Sequence, residues 1–425
     1  LVGSEMCIRD RERPVISGGR NITGWQPHKN GIWKVDLPEV KAGRWRFRQL
    51  FVNGQQRRRA RIPNDGFHIV AGFPEGTSKS VHYHTDCRSF EFAEGDIDPH
   101  WKNMEDVEVI VYHFWTDSHL PIRSIDEQKR IVTFAHRAGK VFTDDFTENG
   151  ARYIVENVCE GLDAPGEWYL DRKSGTLYYI PMPDEDLSAA EVIAPVAPAL
   201  IRFEGQPAKR RFVEHVQFRG LSFLHTHFQL PKNNSNDRQG SAGIPAAVTM
   251  IGTRDCGFHQ CEFRNLGTFA FELSNGCVRN QFTHNRLKHL GAGGFRIDGG
   301  THQHHPLERT ESNLICDNDI GPYGDEYPSA VGVLLMNTSS NVVAHNEIHH
   351  GWYTGVSVGW VWGYGRSISR DNVVEKNHIH HIGRGQLNDM GGIYTLGISP
   401  GTILRGNVIH DVRSHPRLYG GWGLY

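Results

Sequence analysis

The sequence predicts an all-β chain built as a parallel β-helix, a solenoid, with an all-β domain inserted near its N-terminus. Apolar residues come in short runs rich in Val, Ile and Phe, and long stretches of helical period are missing. The second half repeats one pattern roughly every thirty residues, the signature of a solenoid. The first half lacks that pattern and carries hairpin signals instead.

The repeat reads "CGFHQCEFRNLG" (256–267), "NQFTHNRLKHLG" (280–291), "NLICDNDIGPYG" (313–324), "NVVAHNEIHHG" (341–351), "NVVEKNHIHHIG" (372–383) and "GTILRGNVIHDV" (401–412). Each has an apolar pair, a polar bend, then Asn-x-Ile or a variant. The bend asparagines are Asn285, Asn318, Asn346, Asn377 and Asn407, spaced by 33, 28, 31 and 30 residues. Such short, β-branched elements do not make helical repeats, and leucine-rich, WD-type and ankyrin signatures are absent. Stacked coils of three short strands remain. Asparagine tolerates the left-handed backbone of a bend, and its amide can pair with the one on the next coil. Coils this long carry extra loop at one bend, and loops on one face of a solenoid are where binding sites form.

A second strand follows each Asn strand: "GFRID" (294–298), "GVLLM" (332–336), "GVSVG" (355–359), "GIYTL" (392–396) and "GLY" (423–425). Aligned on the Gly, Phe295, Val333, Val356, Ile393 and Leu424 form one inward column. Arg296, Leu334, Ser357, Tyr394 and Tyr425 form an outward one. A further outward column runs Asp298, Met336, Gly359 and Leu396, and its next member is position 427.

In the first half, Asn53-Gly54 marks a two-residue hairpin, and "GEWYLDRKSGTLYYI" (166–180) is a second hairpin with Gly175 in its turn. Arg57-Arg58-Arg59 reads as a solvated hairpin arm. "RPVISGGRNITGW" reads like one coil. The expected organisation is a leader at 1–12, a first coil at 13–25, an inserted β domain at 26–199 and the main helix at 200–425. The leader "LVGSEMCIRDR" resembles adapter read-through, so Cys7 is expected to be non-native and the chain to be a fragment that also stops inside a strand at Tyr425. The six other cysteines read as buried free thiols. A formal net charge of −2 gives no case for nucleic acid, and no apolar run is long enough to span a membrane.

Chemistry is expected in the loops between the two strand sets: "GPYGDEYPSAVG" (321–332), "HHGWYTG" (349–355), "HHIGRGQLNDMGG" (380–392) and "HDVRSHPRLYGGWG" (410–423). They leave the same bend and offer Asp325, Glu326, Asp389, Trp352, Tyr353, Arg384, Tyr419 and Trp422. An insertion at 358–367 adds Trp360, Trp362 and Tyr364. Sugar rings stack their C–H faces on aromatics, and glycosidic cleavage uses two carboxylates about 5–9.5 Å apart. Coils about 4.8 Å apart can supply such a pair. Some of these aromatics can equally cover loop backbone, and Asp325 and Glu326 can cap turns. His349, His380 and His410 align, as do His289, His350 and His381, with Asp411 next. Stacked bend histidines bonding backbone carbonyls are expected there, with no metal and no cofactor.

"PVISGGRNITGW", "RQLFVNGQQRRRARIPN", "GEWYLDRKSGTLYY", "GDEYPSAVGVLL" and "LNDMGGIYTLG…GNVIHDV…YGGWGLY" together resemble glycoside hydrolase family 141. The resemblance covers about residues 13–425. It implies a right-handed β-helix of the pectin-lyase-like superfamily acting on plant-type or algal cell-wall polysaccharide, such as a fucoside, xylan or pectic side chain. It implies Asp389 as one catalytic acid, with the second in a Thr-Asp-Glu-Gly segment whose Asp would fall at position 427. Substrate contacts are expected from Asp325, Glu326, Trp352, Tyr353, Trp360, Trp362, Arg384, Tyr394 and Trp422. The expected partner is a polysaccharide or oligosaccharide, bound by a secreted or periplasmic monomer. A polysaccharide lyase, or a non-catalytic glycan-binding β-helix or adhesin, would use the same scaffold.

Overall fold

Three parallel sheets wind around one lumen in the second half of the chain. The computed structural model describes residues 14–144, 148–236, 238–416, 418 and 420–425. The leader at 1–12, Cys7 and Tyr419 lie outside the described residues. The first sheet has eight strands, from Val15–Ser17 through Ser222–Leu224 to Val408–Val412. The second also has eight, from Ile201–Glu204 to Gly421–Leu424, and the third seven, from Gln217–Arg219 to Ile403–Arg405. Registers follow the expected columns: Phe295 pairs with Val333, Val333 with Val356, Val356 with Ile393 and Ile393 with Leu424.

The lumen is filled by stacked apolar side chains, because inward residues of parallel strands superpose from coil to coil. Phe271 and Phe295 stack at 4.9 Å and Phe258 and Phe282 at 6.0 Å, and Val and Ile take over in later coils. The asparagine ladder is present. The Nδ2 of Asn285 donates to Asn318 Oδ1 at 2.9 Å, Asn318 to Asn346 at 2.9 Å, Asn346 to Asn377 at 3.0 Å and Asn377 to Asn407 at 3.0 Å. A second ladder runs through Asn280, Asn313, Asn341 and Asn372, with amide contacts of 2.9, 3.1 and 3.0 Å. All six described cysteines are free thiols; Cys87, Cys256, Cys261 and Cys277 are buried, and Cys159 and Cys316 are half-buried.

The inserted domain has two largely antiparallel sheets of eight and seven strands. Both hairpins form: Leu50–Val52 pairs with Gln55–Arg59 across Asn53-Gly54, whose φ values are 50° and 75°. Glu167–Asp171 pairs with Thr176–Tyr179.

Three expectations change. Val15–Ser17 does stack on the first sheet, but Gly19–Asn21 pairs antiparallel with Val192–Pro195 and so belongs to the insertion, not to a first coil reaching residue 25. The arginine run is no solvated arm, since Arg57 is held by Glu185 and Tyr179, and Arg59 lies 3.3 Å from Glu108 and 3.5 Å from Glu156. The outward column of the second sheet is also not free. Leu334 and Met336 are buried with Ile110, Tyr112 and Ile154 of the insertion, which therefore docks on the loop-bearing side of the helix.

Candidate active site

Asp389 opens the strand Met390–Thr395 in the left-handed conformation, φ 53°, which Asp tolerates better than most residues. Three contacts fix the loop around it. Asn388 N donates to Phe114 O at 2.9 Å and Arg152 Nη2 to Gln386 O at 2.5 Å, both from the insertion. The buried Tyr353 hydroxyl donates to the Asp389 carbonyl at 2.8 Å. Gly420 passes so close that a methyl group there would sit 2.7 Å from Asp389 N, which leaves only glycine room. Burial first, then the Asp389 carboxylate, pushes the Tyr394 phenol above its ordinary pKa, and the same two causes act on Tyr353. Tyr425 packs edge-on against Tyr394 at 4.6 Å and stacks on Trp422 at 4.4 Å. A carboxylate thus stands beside a group of aromatic rings at the end of the coil stack.

A second acidic group sits where the insertion meets the loop 321–332. Arg48 contacts Glu108, and lies 3.4 Å from Glu156 and 3.6 Å from Glu326. Gln56 Nε2 donates to Glu326 Oε1 at 2.8 Å. Burial pushes Glu326 up to about 8, although Arg48 pulls the other way. Glu108 is lowered to about 2, because Arg48 first, then His119 and Arg59, outweigh its burial. His119 Nε2 meets Asp117 Oδ2 at 3.0 Å, and Asp117 Oδ1 accepts from Ser329 N at 3.0 Å, which ties insertion to helix again. Behind this network lies a cavity of about 340 Å³ lined by Arg46, Arg59, Asp106, His136 and His227 among others. Burial pushes Asp106 up to about 7 and His227 down to about 3.

The comparisons bear on both halves of the chain. Residues 30–182 match the family model described as "GH141 insertion domain", and residues 246–421 match "Right handed beta helix region". The chain thus joins a GH141 insertion domain to a right-handed β-helix. A solved structure named "Glycoside hydrolase" is similar to this chain over 94% of its length and 74% of the other's, at 22% identity and a TM-score of 0.80, which shows the shared fold. "The complex structure of XylC with xylose" aligns over 94% of this chain and 59% of that one at 12% identity, with a TM-score of 0.39. No curated protein matches the sequence.

Within this fold the expected site residues divide. Asp389, Tyr353, Tyr394 and Trp422 come together, and Trp360 packs against the same cluster as Tyr353 and Met390. Tyr353, however, is 1% exposed, so it supports the Asp389 loop instead of offering a stacking face. The face of Trp352 is covered by Arg384, whose guanidinium carbon lies 3.8 Å from the ring centroid. Trp362 and Tyr364 are the open rings, 56% and 95% exposed. Asp325 and Glu326 have other partners. Glu326 is locked under the insertion, and Asp325 Oδ2 lies 3.7 Å from His289. Arg48, Arg59 and Glu108 were missed, because they act across a domain boundary that leaves no periodic trace in the chain.

Proposed function

We propose that this protein is a glycoside hydrolase acting on plant-type or algal cell-wall polysaccharide, a fucoside, xylan or pectic side chain, with Asp389 as one of its working carboxylates. The observation that carries the reading is Asp389 itself: a left-handed aspartate held by Tyr353 and the insertion loops, with Tyr394, Tyr425 and Trp422 at its side. The matches to a GH141 insertion domain and a right-handed β-helix support the same class. Aromatic rings present apolar faces to sugars, and an adjacent carboxylate can protonate a leaving oxygen or act as base. Arg384 and Trp352, already packed together, and the exposed Trp362 extend the surface available to a polymer. Polysaccharide substrates place such an enzyme outside the cytoplasm, secreted or periplasmic; no helix among the described residues is long and apolar enough to cross a membrane.

Product analysis tests the reading against a lyase on the same scaffold. Incubation with fucosylated glycan, xylan and pectic side chains should release saturated sugars with new reducing ends. Unsaturated products absorbing in the ultraviolet would identify a lyase. Retention of glycan with no turnover would identify a binding module.

A further inference from the structure

The histidines expected to bond backbone carbonyls do something else. On the outer face of the first sheet, His349, His380 and His410 stack on three successive coils at 5.4 and 5.3 Å, and His350 stacks on His381 at 5.3 Å. His289 is outside this stack, beside Asp325. The ring nitrogens meet carboxylates and one another. His349 Nε2 lies 2.9 Å from Asp319 Oδ1, His380 Nε2 3.2 Å from Glu347 Oε1, and His378 Nε2 2.9 Å from His410 Nε2.

The backbone explains the crowding. Neighbouring residues of a strand normally point to opposite faces. His381 and Asp411 take left-handed φ values of 52° and 53°, which turns each side chain onto the face of the residue before it. His381 Nδ1 thereby reaches His380 Nδ1 at 2.8 Å, and Asp411 Oδ2 reaches His410 Nδ1 at 2.8 Å. With Nδ1 of His410 donating to Asp411, its Nε2 is left as a bare lone pair aimed at His378.

From this geometry we propose that His378, His380, His410 and Glu347 form a binding site for a divalent transition metal ion of the zinc class, with Asp411 and His381 as positioning residues. One donor atom each from Glu347, His378 and His380 lies within 4.8 Å of the others, and His410 Nε2 adds a fourth 2.9 Å from His378 Nε2. Ligands about 2.0–2.1 Å from a tetrahedral zinc stand roughly 3.4 Å apart, so rotamer-scale adjustments close the set. Three imidazoles and a carboxylate suit zinc, cobalt, nickel and copper better than calcium or magnesium. A carboxylate behind a ligating imidazole, as Asp411 stands behind His410, is the arrangement that fixes tautomer and orientation at metal sites. The Asp389 loop is not part of this group, so the inference is independent of the hydrolase reading.

The test is titration of the metal-free protein with Zn²⁺ alone against a chromogenic chelator, with Co²⁺ as a spectroscopic stand-in. One ion per chain and intensified visible Co²⁺ absorption are expected. His378→Asn and His410→Asn should each weaken binding at least about tenfold, Asp411→Asn should weaken it more modestly, and His100→Ala, on the insertion, should leave it unchanged. Urea midpoints of His378→Asn and His410→Asn close to that of the unaltered chain check that the loss is not a folding defect. Equal Zn²⁺ affinity in His378→Asn, His410→Asn and the unaltered chain would overturn the proposal, as would a Co²⁺ spectrum identical to that of the free aqueous ion.

Discussion

Arg48→Met is the perturbation that most sharply tests how the insertion is fastened to the helix. The guanidinium touches Glu108 and lies 3.4 Å from Glu156 and 3.6 Å from Glu326, all at a largely shielded junction with side chains 11–21% exposed. At an effective dielectric of about 20, each such pair is worth about 5 kcal/mol of Coulomb energy before desolvation is subtracted. Removing one partner of a buried pair leaves the other charge stranded, a loss of about 3–5 kcal/mol. Arg59 still sits 3.3 Å from Glu108 and 3.5 Å from Glu156, so the lower end, about 3 kcal/mol, is expected. The pH dependence identifies the cause. In the wild type Glu108 titrates at about 2 when folded, so its stabilisation is present above its unfolded pKa and lost as pH falls toward 2. In Arg48→Met the buried carboxylates lose their cation and their folded pKa values rise above the unfolded ones. The folded state then binds more protons, and the defect grows as pH rises through that window. Urea unfolding followed by tryptophan fluorescence should show the full loss at about pH 8 and a smaller one at about pH 5. An equal loss at both pH values would show that packing, not charge, fastens the junction.

Other substitutions probe other layers. Asn346→Ala removes an amide whose Oδ1 accepts from Asn318 N and Nδ2 at 3.0 and 2.9 Å, and whose Nδ2 donates to Ile315 O and Asn377 Oδ1, both at 3.0 Å. It should cost about 3 kcal/mol in urea unfolding, because buried donors are left unpaired. Tyr353→Phe removes the hydroxyl bond to the Asp389 carbonyl; about 1 kcal/mol of stability should go, with a fall in kcat larger than any rise in KM. Trp362→Ala with Tyr364→Ala should weaken polysaccharide retention on affinity gels while leaving the urea midpoint within about 0.5 kcal/mol of wild type, since both rings face solvent.

Much of the helix was legible because its pattern is local and repeated. Asn285, Asn318, Asn346, Asn377 and Asn407 stand at one bend, and inward columns such as Phe295, Val333 and Val356 recur at fixed register. The second ladder was legible too: Asn280, Asn313, Asn341 and Asn372 each stand five residues before a ladder member already read. Contacts across the domain boundary were not legible. Glu326 in a loop full of aromatics looks like a sugar ligand until Arg48 and Gln56, some 270 residues away, are seen to close over it. The outward Leu334 looks exposed until Ile110 and Tyr112 cover it. The imidazole pairs depend on left-handed φ values at His350 and His381, a conformation in which His is enriched, but His349-His350 and His380-His381 carry no mark of which residue adopts it. Asp389 was singled out through a resemblance, but the Tyr353 hydroxyl that holds its carbonyl is visible only in three dimensions.

The most direct test of the central claim is the rate of reducing-sugar release from α-L-fucosides, xylan and pectic side chains, with and without Asp389→Asn. The account predicts hydrolysis of at least one of these glycans and a loss of at least about a hundredfold in Asp389→Asn, with the fold intact. Undiminished turnover in Asp389→Asn would contradict it and reduce Asp389 to a bend residue.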